Sequence, residues 1–170
     1  MTRAAIEAII EEEVAAPASE AVHQIARAAR ERHPGTLAVL FYGSCLRSGS
    51  DEGGLVDLYL LVECYREAHR NPLSAWGNRL LPPNVYYLEI PFRDRRVRAK
   101  YAVVTLRQLE ERVTSRAFHP YFWARFAQPT GLLWSASPQV TAGVTALLAQ
   151  AVETLARETR PLQGERPEAK

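Results

Sequence analysis

Ile6, Ile9, Ile10 and Val14 recur at helical spacing, which predicts an amphipathic helix over residues 3–15, interrupted by Pro17. Ser19 is placed to cap a second helix bearing Val22, Ile25, Ala26 and Ala29 on one face, and His33-Pro34-Gly35 ends it. Leu37 to Tyr42 is a continuous apolar run, suited to a central strand buried on both faces. A polar loop over 43–54 has room for one helical turn, and Leu55 to Val62 reads as a second strand. A polar, helical stretch follows to about Arg79, then a third strand over Val85 to Ile90. In a fourth strand, Arg96 to Val104, Arg96, Arg98 and Lys100 alternate with Val97, Ala99, Tyr101 and Val103. Residues 105–115 predict a short helix, residues 120–131 an aromatic, partly helical segment, and residues 138–158 a long helix with Val140, Val144, Leu147, Leu148, Ala151, Val152 and Leu155 on one stripe. Strands among helices without strict βαβ alternation predict an α+β fold. The expected organisation is N-terminal helices over 1–34, a core over 35–115, a helical extension over 116–158 and a polar tail over 159–170.

Composition narrows the function classes. The chain of 170 residues is long enough for about one domain. A formal charge of +2 argues against a nucleic-acid coat, so no nucleic-acid partner is expected. No apolar run reaches the ~18 residues of a membrane span. Two cysteines and four scattered histidines make neither a disulfide framework nor a zinc cluster. A reducing, cytoplasmic setting is the expectation. Basic residues are almost all Arg, so Lys100 stands out, as do Asp51, Asp57 and Asp94, the three Asp among the 19 acidic residues.

The candidate chemistry lies in Phe41-Tyr42-Gly43-Ser44, twelve residues, then Asp57-Leu58-Tyr59. A strand that ends in Gly-Ser, followed by a strand carrying an acid, suits nucleotidyl transfer. Gly43 lets the backbone approach a phosphate chain. Ser44 and the amides after it can donate to phosphate oxygens. Asp57 can hold Mg²⁺, a hard cation that keeps substrate phosphates in its shell. Between Val56 and Leu58, an Asp is costly unless paired or metal-bound; the competing reading is a strand-edge Asp bonded to a loop. Glu89, near the end of the third strand, is the candidate for a further carboxylate, against a plain solvated Glu. Asp51 and Glu52 read as solvated turn residues, and Cys45 as a small loop residue.

This segment resembles the Gly-Ser…Asp-x-acid signature of the DNA polymerase β-like nucleotidyltransferase superfamily, with Tyr59 where the second acid would stand. Taken with Asn84-Val85-Tyr86-Tyr87, Lys100-Tyr101-Ala102-Val103, Arg116 and His119-Pro120, it is similar to the mitochondrial-type phosphatidate cytidylyltransferase family, the translocator assembly and maintenance proteins. The resemblance covers roughly residues 37–125. It implies a nucleotidyltransferase-like mixed sheet flanked by helices, with a C-terminal part reduced here to a short helical one. It implies transfer of CMP from CTP to phosphatidic acid with Mg²⁺, giving CDP-diacylglycerol and pyrophosphate, on the inner face of an anionic membrane. Gly43 and Ser44 would then cradle the CTP phosphates, Asp57 would hold the metal, and Lys100 and Arg116 would face phosphate. The alternatives are a different acceptor, or a catalytically silent fold that binds nucleotide or a partner protein.

Arg93, Arg95, Arg96, Arg98 and Lys100 lie within eight residues. They read either as a phosphate or anionic-membrane contact, with Arg96 and Arg98 the substrate-facing candidates, or as the charged edge of a solvated hairpin. Phe118, Tyr121, Phe122, Trp123 and Phe126 read mostly as core, and the long C-terminal helix as packing or homodimer surface.

Overall fold

The computed structural model describes residues 2–68 and 84–160. Most of the polar stretch up to Arg79, and the end of the tail, lie outside these residues. The described elements are α1 (Arg3–Val14), α2 (Glu20–Glu31), β1 (Thr36–Tyr42), α3 (Ser44–Ser48), β2 (Val56–Val62), α4 (Tyr65–Ala68), β3 (Asn84–Phe92), β4 (Arg95–Thr105), α5 (Leu106–Arg112), α6 (Tyr121–Phe126), β5 (Gly131–Ser135) and α7 (Pro138–Thr159). Ser19 caps α2 as its sequence position suggests, its hydroxyl accepting from the Val22 amide at 3.2 Å. Thr105 and Gln108 form a capping box that starts α5 where β4 stops.

The strands form one mixed sheet in the order β3-β4-β2-β1-β5. β2 and β4 run parallel; the other three pairings are antiparallel. The α+β expectation holds. One strand lies outside it: Gly131–Ser135 falls within the segment expected to be helical, yet it pairs with β1 and completes the sheet edge.

The sheet divides two cores. On one face Ile25 and Ala29 of α2 pack on Val39, Phe41, Leu58, Leu60, Val97 and Tyr101. On the other, Ile6, Ile10, Leu109, Phe122, Phe126 and Leu148 from α1, α5, α6 and α7 cover Leu40, Tyr59, Leu61 and Val104. Arg3 ties α1 to α7, donating to Glu153 at 2.7 Å while also bonding Glu7. The described residues cover only part of this second face. β3 and the first half of β4 turn Val85, Tyr87, Arg96, Arg98 and Lys100 outward, so an open shelf of sheet borders the buried half.

Candidate functional site

The boundary between covered and open sheet is where the candidate residues meet. Asp57 stands beside Tyr42 of β1 on one side and Lys100 of β4 on the other, in direct register with both. Side chains alternate along a strand, so Asp57, Tyr59 and Leu61 share the second face with Lys100 and Ala102. The helices leave a cavity of about 180 Å³ there, lined by Tyr42, Asp57, Tyr59, Val85, Lys100, Tyr101, Ala102, Tyr121 and Arg125. That is smaller than a typical whole-ligand pocket, ~300 Å³ or more, and suits a phosphate-sized group with the rest of a ligand on the open shelf.

Gly43 makes the close approach to Asp57 possible. It precedes α3 with φ 90° and ψ −159°, a conformation that side chains rarely adopt. A Cβ at this position would lie 2.5 Å from Asp57 Oδ2. The backbone turn after β1 is thus pressed against the carboxylate. Ser44 follows it, exposed at the start of α3. Cys45 is buried and its thiol donates to the Leu55 carbonyl at 3.3 Å, closing the loop between the two strands; it is a packing residue.

Burial pushes the Asp57 carboxyl above its ordinary value, although Lys100, Arg125 and Arg47 pull the other way. One acid beside two cations, Lys100 and Arg125, leaves the cavity lining net positive, which favours an anionic ligand. Tyr42 is pushed up to about 12 by burial and by the nearby Asp57 charge, so it stays a neutral hydroxyl. Tyr59 is 1% exposed, its hydroxyl 3.2 Å from that of Tyr121, and burial holds its phenol protonated as well. Where a second acid would stand two residues after Asp57, the cavity wall is therefore a neutral aromatic.

Gly43, Asp57 and Lys100 lie together, and Ser44 follows the Gly43 turn but is exposed and outside the cavity lining. Several expectations are corrected: Asp51, expected as a solvated turn residue, is buried and paired with Arg95 and Ser19, and Phe118 and Tyr121, expected as core, are exposed. Glu89 is not brought to Asp57: it accepts from Tyr87 at 2.6 Å and is ion-paired to Arg96. It sits two strands over and two residues along, roughly 12 Å between backbone positions at ordinary strand spacings, because its pairing partner on β4 is Arg98 rather than Lys100. Arg96 and Arg98 lie exposed on the sheet outside the cavity lining, Arg96 paired with Glu89 and Arg98 donating to the Gly53 carbonyl at 3.1 Å. Arg93 and Arg95 pair with Glu20 and Asp51. The arginines of the basic cluster thus have surface partners, and of the cluster only Lys100 lines the cavity. Arg116 lies exposed between α5 and α6, outside the cavity lining.

Arg125 takes the place expected of Arg116. Tyr121 and Arg125 are four residues apart on α6 and so share a face. Phe122 and Phe126 are buried in the second core and anchor that helix. The Arg125 guanidinium lies 4.9 Å from the centre of the Tyr42 ring and 5.8 Å from that of Tyr121, held by cation–π contact at the cavity edge. The i, i+4 pairing of Tyr121 and Arg125 was the signal available in the sequence.

Magnesium can be tested against this donor set. Among the described residues no group of three His, Cys, Asp or Glu could hold a metal ion. Mg²⁺ is often bound by one or two carboxylates plus substrate phosphates. Asp57 alone fits that mode, in which the ion arrives with a phosphate ligand, and does not fit a resident metal. A larger groove of about 960 Å³ between α1 and α7 is lined by Val14, Leu132, Ala142 and Ala146 with Glu7 and Glu11; it lacks cations and does not suit a phosphate.

Among the described residues no helix is long and apolar enough to cross a membrane. No family model matches the chain, and no curated protein sequence matches it. What the fold and the cavity define is an α+β protein with a single-carboxylate, cation-rich site at the edge of a half-covered mixed sheet.

Proposed function

We propose that the Asp57 cavity receives the phosphate chain of a nucleoside triphosphate with Mg²⁺, and that the protein is a nucleotidyltransferase of the DNA polymerase β-like type. The observation that carries this reading is the contact between the Gly43 turn and Asp57 on adjacent strand ends, flanked by Lys100 and Arg125. One acid and two cations line one phosphate-sized space, and the Gly43 turn is packed against that acid, which supports the reading.

The sequence resemblance makes CTP and phosphatidic acid the pair to test first. A phosphatidate phosphate oxygen attacks the α-phosphorus of CTP and forms the new P–O bond. The bond to the bridging oxygen breaks, and pyrophosphate leaves with its electrons. The nucleophile is already an anion, so no general base is needed. Mg²⁺, held by Asp57 and the phosphates, would neutralise charge there. Lys100 and Arg125 would neutralise and orient the remaining phosphate oxygens. Tyr42 and Tyr59 stay neutral and add no charge to that wall of the site.

A second reading is favoured by Tyr59 and by the distance of Glu89: a silent fold that binds nucleotide without transferring it. Pyrophosphate release separates the two. It is measured with Mg²⁺, each nucleoside triphosphate in turn, and with or without phosphatidate vesicles, beside equilibrium dialysis of the same nucleotides. CTP-selective, lipid-dependent release abolished by Asp57→Ala is the expected result. Release that ignores lipid overturns the phosphatidate acceptor. Binding without release supports the silent fold, and failure of every triphosphate to bind overturns the site itself.

A further inference from the structure

We propose that Tyr59 is a positioning residue for Arg125. From the place where a second acid would follow Asp57, it holds the two rings, Tyr42 and Tyr121, on which the Arg125 guanidinium is seated. This rests on the reading of the cavity as a triphosphate site and gives the buried phenol a task within it.

Arg125 is half-buried at the cavity edge, and among the described residues no carboxylate ion-pairs with it. It differs in this from Arg93, Arg95 and Arg96, which pair with Glu20, Asp51 and Glu89. An arginine without such a partner keeps its charge for a ligand but has rotamer freedom to lose when it binds one. What restrains Arg125 is aromatic, through its contacts with the Tyr42 and Tyr121 rings.

Those two rings belong to different elements, Tyr42 to the end of β1 and Tyr121 to the start of α6. Tyr59, on the neighbouring strand β2, ties them together. Its ring centre lies 5.1 Å from that of Tyr42, and its hydroxyl bonds that of Tyr121. Tyr59 is itself fixed by the second core, with its ring centre 4.9 Å from that of Phe126 and 6.4 Å from that of Phe122. A buried phenol needs a partner for its hydroxyl, and here the partner borders the cavity. Tyr121 is 42% exposed, so the bond to Tyr59 restrains its ring where burial does not. A Phe at position 59 would keep the packing against Tyr42 and the core but lose the tie to Tyr121.

The consequence for binding is preorganisation. A guanidinium already seated at the cavity edge loses less freedom when a phosphate arrives. Tyr59 thus acts on the ligand only through Arg125, on a path separate from Lys100.

Equilibrium dialysis of the full chain with CTP and Mg²⁺, without lipid, tests this. Arg125→Gln should weaken binding about tenfold, the loss of one charge-assisted contact. Tyr59→Phe, which removes only a hydroxyl, should weaken it about fivefold, the loss of one hydrogen bond. Tyr121→Phe removes the other half of that bond from an exposed ring, where folding is not at risk. It should match Tyr59→Phe, and the two together should cost no more than either. In the Arg125→Gln protein, Tyr59→Phe should change the affinity by less than about twofold, whereas in the Lys100→Gln protein it should keep its full effect. A merely structural role would weaken both backgrounds alike. Affinity that both Phe variants leave within about twofold of the parent overturns the proposal, as does an effect of Tyr59→Phe that persists in Arg125→Gln. The Arg125 Nε–H resonance of the ligand-free protein, identified by its loss in Arg125→Gln, is a readout that needs no nucleotide. Ring currents should displace it in the parent, and both Phe variants should shift it towards the exposed arginines. A resonance that neither variant moves overturns the proposal. If the resonance moves but no triphosphate binds, Tyr59 positions Arg125 and the reading of the cavity fails.

Discussion

Gly43→Ala is the sharpest probe of the site. The glycine sits at φ 90°, ψ −159°, a region that costs a residue with a side chain ~1–3 kcal/mol. The added methyl also meets Asp57 Oδ2 at 2.5 Å and Asp57 Cβ and Cγ at 3.3 Å. Backbone strain together with that overlap should destabilise the fold by about 2–4 kcal/mol. The two contributions separate in a double-mutant cycle. Asp57→Ala removes the carboxylate but leaves the backbone conformation, so Gly43→Ala should cost about 1–2 kcal/mol less in that background. Urea denaturation of the four proteins, followed by tryptophan fluorescence, measures the difference. A cost within about 0.5 kcal/mol of zero for Gly43→Ala would show that the turn has no fixed positive φ. An equal cost with and without Asp57 would refute the close approach on which the site rests.

Three further outcomes follow from the ionisable groups. Burial raises the Asp57 carboxyl, so the folded state takes up its proton more readily than the unfolded chain. Its ionised form is therefore a burden at neutral pH, relieved as pH falls through the raised value towards the ordinary ~4. Asp57→Asn should be more stable than the parent at neutral pH, with an advantage that shrinks on acidification; a constant difference would falsify this. Asp51 behaves oppositely. Burial alone would raise it, but hydrogen bonds from Arg95 and Ser19 more than offset that and hold it below its ordinary value. Asp51→Ala should cost about 2 kcal/mol at neutral pH, a cost lost as pH falls below the ordinary ~4, read by denaturation across that range. Finally, Lys100→Gln should weaken triphosphate binding about tenfold, the loss of one charge-assisted contact, whereas Glu89→Gln should leave the Mg²⁺ dependence of binding unchanged; a shifted Mg²⁺ dependence would return Glu89 to the site.

The parts of this structure that were legible in the sequence share a cause. β1 and β2 are continuous apolar runs because they are buried on both faces, and one Asp inside such a run is visible without coordinates. β4 advertised its two faces by strict alternation, which placed Lys100 correctly. Glu89 failed because strand pairing was not encoded in its own neighbourhood. A strand end was legible, but strand order and register, which put β4 and a two-residue offset between Glu89 and Asp57, were not. Arg125 failed for a related reason: its role arises from where the buried Phe122 and Phe126 set α6 down. β5 was hidden because Gly-Leu-Leu-Trp-Ser is short, follows an aromatic helix closely, and is mostly half-buried at a sheet edge, so neither alternation nor length marked it.

That late strand ties the order of synthesis to the site. β1 ends in the Gly43 turn, and its free edge is closed only by residues 131–135, some ninety positions further along the chain. As the polypeptide emerges from a ribosome, the β1 backbone groups that face away from β2 must wait unpaired until β5 has been made. A chain cut after residue 115 would keep Asp57 and Lys100 but would present the β1 edge to any other extended segment, which is the geometry of edge-to-edge aggregation. The Asp57 cavity is thus set on a finished sheet only after residues 131–135 have been made.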